Sequence, residues 1–119
     1  MKPVIDKTGF GSITIESVSY KHDVVIRLDG TIEKRKRFPA KMFGGSHTLT
    51  PQEAEYIHEE GARHVIIGTG QFGVLELSPE AEAYFADNGV ETFLLPTPLE
   101  VKRWNDREEN TIGLFHVTC

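Results

Sequence analysis

Two stretches of this chain share one grammar. LTPQEAEYIHEEGARHVIIGTG, from Leu49, and LSPEAEAYFADNGVETFLLPTP, from Leu77, align at a shift of 28 residues. Leu49 matches Leu77, Pro51 matches Pro79, Tyr56 matches Tyr84, Gly61 matches Gly89 and Thr69 matches Thr97. Each landmark has a mechanical meaning. Thr50 and Ser78 suit helix N-caps, Pro51 and Pro79 fit a first turn that needs no amide donor, and Gly61 and Gly89 suit a left-handed stop. Glu53 stands at the capping-box position relative to Thr50, with Leu49 and Ala54 as the flanking staple. Both copies therefore read helix, then strand. A third start follows at TPLE, where Thr97 caps, Pro98 opens the helix and Glu100 takes the box position. The helix PLEVKRWNDREEN then leads into a final strand, TIGLFHVTC. Each of these helices must carry the chain back across the sheet, so the expected sheet is largely parallel.

The N-terminal third has a different character. GSITIESVSY alternates with period two, and DVVIRL is a fuller apolar run. VVIRLDGTIEKRKR reads as a β-hairpin turning on the two residues Asp29-Gly30. Its return carries the only concentration of positive charge, Lys34 to Arg37. That cluster is either the solvated edge of a sheet, where lysine discourages edge-to-edge pairing, or a contact for an anionic partner. FPAKMFGGSHT, with Pro39 and two adjacent glycines, is a connector. The antiparallel strands are expected to extend or to cover the parallel sheet, giving an α/β fold in one domain, residues 1–119.

A chain of 119 residues is long enough for one continuous core without staples. Its single cysteine, Cys119, allows no internal disulfide and no zinc motif that needs two thiolates, which suits a reducing, cytoplasmic setting. No apolar run resembles a signal peptide or approaches the roughly 20 residues of a membrane span. A net charge of −5 argues against a dedicated nucleic-acid binder. The expectation is a soluble protein without membrane or nucleic-acid partners.

HVIIGTGQFGVLEL imitates a phosphate-binding loop. Gly68, Gly70 and Gly73 have the dinucleotide spacing, but VLEL follows like a short strand, and the next helix begins only at Pro79. TFLLPT, the next strand, ends without the acid that would hold a ribose hydroxyl. Gly68 and Gly73 also have P-loop spacing, yet Val74 and Leu75 stand where lysine and a hydroxyl are required. No nucleotide cofactor follows. Two roles remain: glycines that permit a sharp strand exit and a close approach, or a small anionic ligand held by backbone N–H groups. The candidate ligand-binding residues are Gly68, Thr69, Gly70, Gln71, Phe72 and Thr97.

Other chemistry is thin. HEEGARH starts like a metalloprotease helix, but Ala62 occupies the second ligand position, so His22, His47, His58, His64 and His116 are expected to be structural and no metal site is assigned. Cys119 and His116 fall on opposite faces of an extended strand, which makes them poor partners for nucleophilic catalysis. Ser46 lacks the second half of a nucleophile elbow. Glu53, Glu55, Glu59 and Glu60 read as a solvated helix face, and Trp104 with Val101 as the face that packs the third helix on the sheet. No catalytic residues are assigned.

GFGSITI at Gly9, HDVVIRLDG at His22, IIGTGQFG at Ile66, LPTPLEVKRWN at Leu95 and the terminal HVTC together resemble the adipogenesis-associated, or Mth938-like, domain family. The match runs in order along nearly the whole chain. The resemblance implies a three-layer α/β arrangement with a mixed sheet. It brings no catalytic set; eukaryotic relatives linked to complex I assembly or fat-cell differentiation imply protein contacts. The functional expectation is a non-catalytic binding protein, acting on a partner protein or on itself, with a small-ligand pocket at GTGQFG. The alternative is an enzyme acting on a small anionic metabolite.

Overall fold

A computed structural model describes residues 3–36, 48–107 and 109–118. Its elements are β1 (Ile5–Gly9), β2 (Ser12–Ile15), β3 (Val18–Tyr20), β4 (Val24–Ile26), β5 (Ile32–Lys34), β6 (Thr48–Leu49), α1 (Pro51–Ile57), β7 (His64–Thr69), β8 (Glu76–Leu77), α2 (Pro79–Asp87), β9 (Glu91–Leu95), α3 (Thr97–Asn105) and β10 (Thr111–His116). Arg37, the connector Phe38 to His47 with Ser46, and Cys119 lie outside the described residues.

The central sheet is mixed, in the order β5-β4-β10-β7-β9. Strands β7, β9 and β10 run parallel, as the helix-strand units require, while β4 is antiparallel to β10 and β5 to β4. Both roles expected of the N-terminal strands are realised. The β4–β5 hairpin extends the sheet, and the antiparallel meander β1-β2-β3 packs over one face of it.

Successive side chains of a strand face opposite ways, so a strand covered on both sides must be apolar throughout. Val65 and Ile67 of β7, Ile112 and Leu114 of β10, and Val25 of β4 join Ile57 of α1 and Phe85 of α2 in one core. Ile66, Phe115, Val24 and Ile26 face the other way, onto Trp104 of α3 and onto Ile5, Ile13 and Ile15 of the meander. This is the three-layer arrangement. Trp104 is fully buried, packing α3 on the sheet as expected, and its indole N–H donates to the Pro3 carbonyl at 2.9 Å. Asn105 ties the same helix to β1 by donating to the Ile5 carbonyl and accepting from the Ile5 amide.

The sequence repeat is a spatial neighbourhood. Leu49 and Leu77, its first matching pair, are register partners in the short parallel ladder β6-β8, and α1 packs beside α2. The register then slips: Ile66 lies opposite Phe93, although the repeat aligns it with Leu94. A slip of one residue reverses the face of every later side chain, so Val65 and its repeat equivalent Phe93 belong to different cores.

The helix ends also differ between the copies. Both N-caps form as read: Thr50 Oγ1 accepts from the Glu53 amide at 3.2 Å and Ser78 Oγ from the Ala81 amide at 3.0 Å. Gly89, at φ +71°, is the left-handed residue after α2. Gly61 does not stop α1. That helix ends at Ile57, and the Arg27 guanidinium caps its last carbonyls, donating to the oxygens of Tyr56 at 3.2 Å and Ile57 at 3.0 Å. Thr97 is no cap either; Pro96 holds that position without a side-chain bond, and Thr97 lies inside the helix. The hairpin turn is longer than the two residues read from Asp29-Gly30. The Arg27 amide donates to the Thr31 carbonyl at 2.9 Å, enclosing Leu28, Asp29 and Gly30, and Gly30 takes φ +90° to close the turn.

Candidate functional site

The glycine loop leaves the carboxyl end of β7, at the edge where parallel sheets usually place ligands. Three of its amides are already committed. The Gly70 amide donates to Thr97 Oγ1 at 2.9 Å, the Gln71 amide to the Thr118 carbonyl at 2.7 Å, and the Gly73 amide to the Gly70 carbonyl at 3.3 Å. Thr97 is fully buried, and its hydroxyl donates to the His116 carbonyl at 2.7 Å. It therefore clamps β7's exit to β10. Gly68 is needed for that approach, because a Cβ there would lie 2.7 Å from Thr97 Oγ1 and 2.8 Å from Phe115 Cδ1. Thr69 is buried at the end of β7, and Gln71 is half-buried with Nε2 unpartnered. Phe72 projects: held between Gly70 at φ +103° and Gly73 at φ +72°, it is 73 % exposed. It meets Phe10, from the turn between β1 and β2 and 64 % exposed, with ring centroids 6.0 Å apart. From Phe72 a groove of about 760 Å³ runs past Leu77, Leu94 and Pro96 along β9.

Beneath this edge lies a cluster of buried charge that sequence reading missed. Arg35, read as part of an exposed basic strand, is only 6 % exposed. Its guanidinium takes Glu53 in a fork, at 2.6 and 2.9 Å, and reaches Asp23 Oδ2 at 2.9 Å. Glu53 is thus no solvated helix residue, and its carboxylate completes this pair rather than a capping box. His116 Nδ1 lies 2.7 Å from the same Asp23 oxygen, while Asp23 Oδ1 accepts from the Val117 amide at 2.9 Å. Burial alone would raise the Asp23 carboxyl, but the bonds from His116, Val117 and Arg35, with the charge of His116, outweigh it and bring its pKa down to about 2. Thr118 Oγ1 stands 3.3 Å from His116 Nε2. Hydroxyl, imidazole and carboxylate stand in the order of a proton relay, but the imidazole is 1 % exposed and its carboxylate is shared with Arg35. Such walled-in groups brace the strand ends. Lys34 and Lys36 remain at the surface, Lys36 with its ammonium 5.0 Å from the Tyr56 ring centroid.

The opposite edge holds a cavity of about 350 Å³, between the first residues of β7, β9 and β10 and the last turn of α3. Ile66 and Phe93 floor it, and Arg103 and Arg107 flank it. Nothing in the sequence marks it, since its residues come from four elements. Among the described residues, no cluster of His, Cys, Asp and Glu is placed to hold a metal ion, and no helix is long and apolar enough to cross a membrane.

A family model described as a protein of unknown function, DUF498/DUF598, matches residues 5–110. The chain belongs to this family. A conserved hypothetical protein, PH1505 from Pyrococcus horikoshii, has a solved structure that is 33 % identical, with a TM-score of 0.88 and coverage of 100 % of both chains. The protein MT938 is 28 % identical, with a TM-score of 0.82 over 99 % of this chain and 100 % of its own. A Mth938-like domain from Bordetella pertussis shares the fold at 14 % identity, a TM-score of 0.69 and coverage of 97 % of this chain and 85 % of its own. No curated protein matches. The Mth938-like resemblance and the mixed α/β fold are thereby established, and the family's own description specifies no activity.

Proposed function

We propose that this DUF498/DUF598 domain is a non-catalytic binding module that docks a partner protein on the aromatic ridge of its carboxyl edge. The carrying observation is the pair Phe10 and Phe72, two large rings in mutual contact and mostly exposed to water. Contiguous exposed apolar surface on a braced scaffold is the usual mark of a recognition site, and aromatic anchors carry most of the binding energy at protein interfaces. In this reading Gly68, Thr69, Gly70, Gln71 and Thr97 are the frame that presents Phe72, in place of a pocket for a small anion. The exposed Leu94 and the groove beside it extend the surface along β9. The lone cysteine fits action in the cytoplasm.

A Phe10→Ser/Phe72→Ser double variant tests the proposal, because neither ring belongs to a buried core. The thermal midpoint should stay within a few degrees of the parent. Affinity capture from native lysate, read by mass spectrometry of proteins and metabolites, should return a defined protein with the parent chain and lose it with the variant. Equal capture by the two chains, or a reproducible metabolite without any protein, would defeat the proposal.

A further inference from the structure

We propose that the cavity at the amino-terminal edge of the sheet binds a small organic anion, a carboxylate or phosphate ester with a compact apolar body, between Arg103 and Arg107. Arg107 carries the argument. Its guanidinium stacks 3.5 Å from the Trp104 ring centroid and donates to the Trp104 carbonyl at 2.6 Å, but its Nε has no partner. Its second terminal nitrogen reaches the Pro3 carbonyl only at 3.5 Å, and the charge of Glu109 acts on it to raise its pKa. Burial pushes this arginine down to about 10 in spite of the charge of Glu109, the sign of a cation whose lost water is not fully replaced. Such a charge beside an open cavity is relieved by an anion.

Arg103 adds a second cation, its guanidinium carbon 4.7 Å from the Phe93 ring centroid. Its acidic neighbour, Glu100, approaches Nε to 2.9 Å, but neither carboxylate oxygen makes a well-directed hydrogen bond. Burial pushes Glu100 up to about 7, so Arg103 is only partly neutralised near neutral pH. The acids on the rim do not cancel the pair. Asp106 is bound by Lys102 at 2.6 Å, and Glu91 is largely in solvent, 3.8 Å from His64 Nε2. The floor of Ile66 and Phe93 offers no hydrogen bonds, which selects an apolar body and fixes the anionic group at the arginine side.

Nuclear magnetic resonance can follow this site through the indole N–H of Trp104, the chain's single tryptophan, and the amides of His64 and Thr111. Benzoate and phenyl phosphate serve as probes, inorganic phosphate and benzyl alcohol as controls. At least one aromatic anion should give saturable shifts at these signals, with both controls weaker. Arg103→Gln and Arg107→Gln should each weaken that binding about tenfold. If Arg107→Gln lowers the thermal midpoint through lost stacking, Arg103→Gln, on a side chain 41 % exposed, decides the matter. The proposal is overturned by the absence of saturable shifts with both anions, by equal binding of either control, or by unchanged affinity in Arg103→Gln.

Discussion

Asp23 shows how a single buried residue can organise one end of a fold. It joins β4 to β10 through His116 and Val117, and to β5 and α1 through Arg35 and Glu53. Removing one member of a buried charge cluster leaves the others uncompensated, which typically costs about 3–5 kcal/mol. Asp23→Asn should therefore lower stability by that order in urea unfolding, while Lys34→Ala, at the surface of the neighbouring strand, should change little. The direction with pH follows from linkage. A carboxyl held at about 2, against an ordinary value of 3.8, contributes fully above pH 3.8, and its contribution falls away as pH drops toward 2. Glu100 has the opposite sign. Pushed from 4.5 to about 7, it is harmless below pH 4.5 and destabilises progressively as pH rises from there, with its full effect above about 7. Glu100→Gln should flatten the decline of the thermal midpoint across the interval from pH 4.5 to about 7 and raise stability at the alkaline end. An unchanged slope would show that Glu100 does not titrate as described.

At the scale of elements, local signals and long-range contacts divide the work. Caps at Thr50 and Ser78 and the stop at Gly89 follow the sequence, because each needs only neighbours a few residues away. The end of α1 and the start of α3 depart from it. Arg27 caps α1 from 30 residues upstream of Ile57, and Thr97 spends its hydroxyl on Gly70 and His116 instead of on its own helix. Within the glycine loop the same scale accounts for Gly68, which admits Thr97 of α3 against β7. Gly68→Ala must move Thr97 or Phe115, and overpacking of this kind costs roughly 1–3 kcal/mol. Denaturant unfolding should show that loss, together with shifted Gly70 and Thr97 amide resonances. Gly61→Ala meets open space and bears only the strain of φ +93°, about 1 kcal/mol.

For the whole molecule, the decisive fact is that two cores share one sheet. Val65 and Ile66 are chain neighbours that belong to different cores, so neither core can dissolve without disturbing the strand that feeds the other. Unfolding is expected to be a single transition. Tryptophan fluorescence reports the core under α3, and far-ultraviolet circular dichroism weighs all helices, including α1 and α2 over the other core; the two denaturation curves should coincide. A separation of their midpoints would mean that the layers come apart independently.

The division between sequence and tertiary structure follows from the range of the forces involved. Periodicity, caps and turn residues are set within a few positions, so the three helix-strand units, the parallel run of their strands and the family pattern are legible from residues alone, whereas the short ladder of β6 and β8 that joins the two repeats is not. The charge cluster was not, since Asp23 and His116 are 93 residues apart and Arg35 and Glu53 are 18 apart, with nothing local to distinguish them from surface charges. Likewise Phe72 reads as a candidate ligand contact of the glycine loop, with nothing local to pair it with Phe10 from a turn 62 residues away, and nothing local brings Arg103 and Arg107 to the strand starts. Only the closing of the sheet, which sets β10 between β4 and β7, brought the carboxyl-edge groups within reach of one another. The same closure placed the last turn of α3 over the strand starts at the other edge, where the two arginines flank a cavity.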